Sequence, residues 1–298
     1  MARRRSILIG YICAILAAAL FGSVSTISKP VLSTVNAVLL SSLVYLISGL
    51  TFTPIARGSK GKKAPKKYYY LIIITAIIGA VIAPTIFFIG LEQTTAADTA
   101  LLSNGETVFS ILFAILLFKE KLGSVEYVGI SLVLIGVFLV TTNLQGDTAL
   151  VKFNSGDILV IAATALWGLD NNISKIITRH IQVSRLVQLK SLIGGSISLL
   201  LVFLIGIPIN IQHGQIIPII LLGVFGFAIS LYLYLHGIKR IGVVKTSTLL
   251  SLSAVFGLIF AAIFLLEPIG IYQVIAVAVM LIGVYLMYRN EPELNVKS

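Results

Sequence analysis

ALFGSVSTISK (Ala19–Lys29) and ALWGLDNNISK (Ala165–Lys175) are one stretch written twice, 146 residues apart, with Ala, Leu, Gly, Ile, Ser and Lys in register. A second echo lies at a shift of 147. GLEQTTAADTALLSNGETVFSILFAILLFKE (Gly90–Glu120) overlays GIKRIGVVKTSTLLSLSAVFGLIFAAIFLLE (Gly237–Glu267), sharing Gly, Thr, Leu, Val-Phe, Phe-Ala and the terminal Glu. The chain reads as two copies of one unit, residues 1–145 and 146–298.

The unit is built for lipid. Hydrophobic residues make up 58% of the chain and charged residues 11%, against about a quarter charged in a soluble domain. A helix crosses the bilayer with about 20 mainly apolar residues. That length predicts spans near 7–28, 35–56, 69–90, 97–118 and 124–142, then 157–177, 186–206, 214–236, 243–265 and 270–288. The longest loops, Arg57–Lys67 and Asn143–Gly156, leave no room for a soluble domain. The expected fold is an all-α integral membrane protein of ten transmembrane helices around a central cavity.

Charge orients it. With a cytoplasmic N-terminus, all but Lys29 and Lys152 of the 22 lysines and arginines fall on the inner side, as the positive-inside rule requires. That inner set includes Lys175, Arg179, Arg185, Lys190 and Lys245. Both termini are then cytoplasmic, in a multi-pass protein of the plasma or inner membrane. Topology thus accounts for the net charge of +11, and nucleic acid is not an expected partner. The first span follows Arg3, Arg4 and Arg5 as a signal peptide would. It lacks a small-residue cleavage site, however, and its end recurs in the sixth span, so it is expected to remain. The single cysteine, Cys13, excludes an intrachain disulfide.

Five spans per copy is an odd number, so the second copy enters the membrane from the opposite side. Inverted repeats suit secondary transport, because similar halves of opposite orientation can exchange shapes to give inward-open and outward-open states of similar energy.

Two five-span halves, Phe21-Gly22 leading to Lys29 and Trp167-Gly168 leading to Lys175, and fourth spans ending in Glu120 and Glu267 resemble the drug/metabolite transporter superfamily, specifically its EamA-type exporters. The resemblance covers nearly the whole chain. It implies a ten-helix bundle exporting amino acids or other small metabolites by alternating access, with protons as a candidate coupling ion.

Charge at membrane depth is costly and tends to face a cavity or a partner. Glu106, near the middle of the fourth span in Ser103-Asn104-Gly105-Glu106-Thr107, is the clearest case. It is a candidate proton site or binder of a cationic substrate group, against the alternative of a protonated acid bonded to a neighbouring helix. Asn104 accompanies it. Asp170, Asn171 and Asn172 form a second cluster just after Trp167. Their repeat mates are Val24, Ser25 and Thr26, so the architecture does not demand their polarity, and they are candidates to line the pathway. Asp170 could instead pair with Lys175 or another inner-face cation. Trp167 and Tyr232 are candidate pathway aromatics, with helix packing as the alternative, and Tyr234 is read the same way. Lys245 in the ninth span could hold a substrate anion or snorkel to the headgroups.

Residues present in both copies point to scaffold or gate. Lys29 with Glu267 outside and Lys175 with Glu120 inside are the expected gating pairs, against local solvation of each. Pro84 should weaken the third span as a hinge, matched in the other half by the Gly223–Gly226 stretch. No phosphate loop, HExxH or GxSxG occurs, and His180, His213 and His236 lie near helix ends or in loops. The sequence therefore predicts no enzyme, cofactor or metal, with monomer and homodimer both open. Two other functions remain: a nucleotide-sugar or phosphorylated-sugar exchanger of the same superfamily, and a non-transporting membrane protein such as a lipid flippase, assembly factor or sensor.

Overall fold

The computed structural model describes residues 2–58, 65–94, 99, 102–119, 123–141, 155–264 and 271–289, and all regular structure among them is helical. The helices are α1 (Ala2–Gly22), α2 (Val24–Leu32), α3 (Ala37–Gly58), α4 (Lys66–Ile77), α5 (Ala83–Gln93), α6 (Gly105–Leu116) and α7 (Ser124–Thr141) in the first half. The second half holds α8 (Ser155–Thr178), α9 (Val183–Ile205), α10 (His213–Leu221), α11 (Ser230–Leu250), α12 (Ser253–Phe264) and α13 (Ile271–Arg289). Among the described residues, five helical stretches are long and apolar enough to cross a membrane: Arg4–Leu32, Ala37–Arg57, Lys66–Gln93, Val183–Ile205 and His213–Phe264. The last, of 52 residues, is broken at Gly242, whose φ of 86° is open to glycine and strained for other residues.

Irregular backbone recurs at matching places. A π-helical segment, Ile78–Ile82, joins α4 to α5, and another, Leu222–Ile229, joins α10 to α11. The expected weak point at Gly223–Gly226 lies within π-helix, and Pro84 stands two residues past the other π segment, at the start of α5. Turns at Ser103-Asn104 and at Ser251-Leu252 interrupt the two related segments ahead of α6 and α12.

The halves interlock. α1 packs on α11 and its counterpart α8 on α5; α3 packs on α9, and α7 on α13. Each contact joins one copy to the other. The glycines of the repeated motif allow this closeness. A Cβ on Gly168 would lie 2.8 Å from the backbone nitrogen of Ser110, and one on Gly22 would lie 2.6 Å from the carbonyl oxygen of Ser253. Neither distance is tolerable for carbon, so both positions require glycine for helix contact.

Two apolar cores result. One, with Ile72, Ile177, Leu186 and Ile238, lies toward the end bearing Arg57, Lys66, Arg179 and Arg240. The other, with Val31, Leu39, Phe88, Leu91 and Val160, lies toward the opposite end. Polar side chains are buried between them, and Phe21 packs against both cores.

Candidate transport cavity

Pro84 creates the first wall of the site. The π pattern runs from residue i to i+5, and the Ala83 N–H duly donates to the Ile78 carbonyl. The next donor in that series is residue 84, and proline has no N–H. The freed carbonyl of Gly79 instead accepts the Tyr45 hydroxyl at 2.8 Å and the Trp167 indole N–H at 3.1 Å. Three helical segments are thereby joined at one backbone oxygen. Gly79 has no side chain because the Asp170 carboxylate occupies the space where a Cβ would stand.

α8 supplies the opposite wall. Asp170 forms a buried ion pair with Lys190 of α9, and Ser174 donates to its other oxygen at 3.4 Å. Asn171 donates to Glu106 at 2.7 Å and to the Ser110 hydroxyl at 3.1 Å. Tyr234 and Ser247 share a hydrogen bond of 2.6 Å, and Thr107 donates to the Ser247 carbonyl at 2.8 Å. Glu106, Asp170, Asn171, Lys190 and Tyr234 border a cavity of about 470 Å³ of empty space, counted to its mouth, lined by both halves. Tyr45, Gly79 and Glu106 come from the first, and Trp167, Asp170, Asn171, Lys190 and Tyr234 from the second. Both cores flank it, and the ion pair and hydrogen bonds satisfy the charges and amides placed there.

The alternative expected for Asp170, pairing with an inner-face cation, is what the structure holds, and the cation is Lys190 rather than Lys175. Lys190 is 1% exposed, and so is buried rather than set at the inner surface. A copy-specific signal was present: Asp170 faces Val24 across the repeat, and Lys190 likewise faces Val44. Tyr45 and Ser110 were also missed, since a tyrosine and a serine in apolar helices carry no mark in one sequence.

Other expected pathway residues lie elsewhere. Consecutive residues on a helix point about 100° apart, so Asp170, Asn171 and Asn172 cannot share one face. Asn172 turns away and donates to the Ser110 and Gly168 carbonyls, both at 2.9 Å, stapling α8 to α6. Tyr232 packs on Phe52 and His236, with ring centroids 4.8 and 4.4 Å apart, outside the cavity lining. Lys245 is half-buried and Asn104 buried at the break before α6, and neither lines the cavity. Lys29 donates to the carbonyls of Leu91, at 2.6 Å, and Thr94, at 2.5 Å, closing the C-terminal end of α5. Its expected partner Glu267 lies outside the described residues, as does Glu120, the expected partner of Lys175, which stands in the last turn of α8. No three His, Cys, Asp or Glu side chains come together as a metal site among the described residues.

A helical membrane protein of two interlocked repeats, with a largely apolar cavity bearing a few buried charged groups between them, is the architecture of a transporter. The comparisons place it further. A model of the EamA-like transporter family matches residues 8–142 and again 154–289, and the chain belongs to that family. It is similar to an uncharacterized transporter of Methanothermobacter thermautotrophicus, 33% identical over 94% of this chain and 86% of that one. An uncharacterized transporter of Clostridium kluyveri is 27% identical over 96% and 95%. A crystal structure 19% identical superposes with a TM-score of 0.76, covering 98% of this chain and 99% of the other, a likeness of fold.

Proposed function

We propose that this protein is a secondary active exporter of small metabolites carrying both a cationic and an anionic group, amino acids foremost, working by alternating access with protons as the coupling ion. The observation that carries this reading is the charge arrangement in the cavity. Two carboxyl groups, Glu106 and Asp170, stand with one ammonium, Lys190, in a lining shared by both halves. A substrate ammonium is complementary to the carboxyls and a substrate carboxylate to Lys190, while Asn171 can follow Glu106 through loss or gain of its proton. Phe21, Trp167 and Phe227 supply apolar surface for a side chain.

The same arrangement argues against the exchanger of phosphorylated sugars. A dianionic phosphate brings no cation to replace Lys190 at Asp170 and would meet Glu106 as a second carboxyl, whereas a zwitterion can give its ammonium to Asp170 as its carboxylate takes Lys190. Lys245, the further cation that reading needs, does not line the cavity.

Trp167 is the sole tryptophan of the chain and lines the cavity, so its fluorescence reports occupancy. The full chain is purified, titrated with the proteinogenic amino acids, and reconstituted for flux under an imposed pH gradient. The expected result is saturable quenching by a subset of them and pH-gradient-dependent flux of the same subset, with Glu106→Gln abolishing the gradient dependence. A panel in which nothing quenches and nothing moves would overturn the reading. Flux that requires a counter-substrate and ignores the pH gradient would favour the exchanger.

A further inference from the structure

A second, smaller cavity, with about 240 Å³ of empty space counted to its mouth and room for about one water within, is lined by Phe21, Gly22, Val24, Ser25, Phe87, Ser103 and Ser253. Its relation to the first follows from the repeat. At the shifts of 146 and 147 residues, Phe21 corresponds to Trp167, Val24 to Asp170, Ser25 to Asn171, Phe87 to Tyr234, Ser103 to Leu250 and Ser253 to Glu106. Each of those six counterparts lines the large cavity. The small cavity is therefore the repeat-related image of the large cavity's charged corner, with Glu106 replaced by serine, Asp170 by valine and Asn171 by serine.

The two are separated by an aromatic pair. Phe21 lines both cavities and meets Trp167 edge to face at 6.1 Å. The partners are held unequally. Trp167 is buried, bonded to the Gly79 carbonyl and packed on Phe87 at 5.1 Å. Phe21 is half-buried and has no polar anchor. It also stands two residues before Ser23, where the helix is interrupted between α1 and α2. The remaining lining residues of the small cavity lead away from the basic end. Ser25 follows Phe21 toward the end marked by Lys29, and Phe87 precedes Leu91 at that same end.

Resting on the transporter reading, we propose that the small cavity, closed to about one water in this state, widens during the transport cycle into a second, charge-free station for the same solute, on the side away from the basic end, with Phe21 as the door between the stations and Trp167 as its fixed frame. Serine hydroxyls and the Phe87 ring can receive the solute but offer no counter-charge. The station therefore holds the solute weakly, which suits release after it leaves Glu106, Asp170 and Lys190.

The test needs no transported solute, so its failure is distinguishable from failure of the transporter reading. In a Cys13→Ser background, which removes the one native thiol, single cysteines are placed by Ser25→Cys in the small cavity or Leu231→Cys in the large one. The full chain in oriented membrane vesicles is exposed to a membrane-impermeant trimethylammonium-ethyl thiosulfonate from one face at a time. Ser25→Cys is expected to react from the face away from the basic end. Leu231→Cys is expected to react slowly from that face, and Phe21→Ala to accelerate it at least tenfold there while changing the rate from the basic face less than twofold. Phe21→Trp should slow it. An unchanged rate with Phe21→Ala, or a Ser25→Cys that reacts from the basic face alone, overturns the proposal. Acceleration from both faces together, the signature of a loosened fold, overturns it as well.

Discussion

Replacing Lys190 by methionine keeps most of the side-chain volume and removes the ammonium that faces Asp170. Both side chains of the pair are 2% exposed, and among the described residues the other bond to the carboxylate comes from Ser174 at a long 3.4 Å. The orphaned carboxylate keeps one long bond and must draw any further partner from the cavity it lines. Breaking a buried pair from one side costs about 3–5 kcal/mol. At 2–4 °C per kcal/mol for a chain of this order of size, that is a fall in Tm of roughly 6–20 °C. Asp170→Asn should lose a comparable amount by stranding the ammonium. The double variant Asp170→Asn with Lys190→Met removes both charges and should return to within about 1–2 kcal/mol of wild type, since neutral replacements of buried pairs are often tolerated. Thermal unfolding of the full chain, followed by Trp167 fluorescence, measures all four corners of the cycle. The coupling energy that follows from these figures is about 4–9 kcal/mol, larger than the ~0.5–3 kcal/mol usual for residues in contact. A double variant as unstable as the two single losses added together would refute the reasoning, because the two residues would then be acting independently. If the double variant is stable yet transports nothing, the charges are there for the solute rather than for the fold.

Four further outcomes follow from other contacts. Glu106→Gln keeps an acceptor for Asn171 and should change stability by less than about 1 kcal/mol while removing proton coupling, whereas Asn171→Leu strands buried groups at Glu106 and Ser110 and should cost about 1–3 kcal/mol; paired melting curves and flux assays separate the two. Gly168→Ala places a Cβ 2.8 Å from the Ser110 nitrogen and should destabilise by about 1–3 kcal/mol, while Gly214→Ala, with nothing within 4 Å of its added carbon, should leave Tm unchanged or slightly raised. Pro84→Ala restores an N–H that competes for the Gly79 carbonyl, so the Trp167 emission maximum should shift; an unaltered spectrum would mean that the carbonyl was not free for want of that donor. Lys29→Met removes the cation from the C-terminal end of α5 and should cost about 0.3–1 kcal/mol, read as a small drop in Tm.

The fold was legible because lipid imposes strong rules on sequence. Long apolar runs, a lopsided charge count and a repeat that keeps Gly22 and Gly168 in register point to two interlocked helical halves, and both glycines prove to be close-contact positions. The site was legible only where polarity stood against an apolar background. Glu106, Asp170 and Asn171 announced themselves in that way, whereas Asn172 was swept in by adjacency and turns out to staple α8 to α6. Lys190 was hidden by the rule that worked elsewhere, because a lysine seven residues into a helix with a basic start looks like one more inner-face cation.

Comparing the copies residue by residue separates these cases where composition cannot. Lys29 and Lys175 recur in both halves, and Lys29 is found closing the end of a helix within its own half. Asp170 and Lys190 each replace a valine, Val24 and Val44, and are found paired with each other. A lone buried charge gained in one copy would be penalised by several kcal/mol, so two opposite charges gained in the same copy are most economically read as gained together. The paired difference thus sets an ion pair between α8 and α9 where the repeat-related positions, Val24 and Val44, belong to one apolar core, and it does so beside Glu106, which is itself the charged counterpart of Ser253. All three changes fall around one cavity and leave its repeat-related image neutral, which is the asymmetry expected if one station captures a charged solute and the other lets it go.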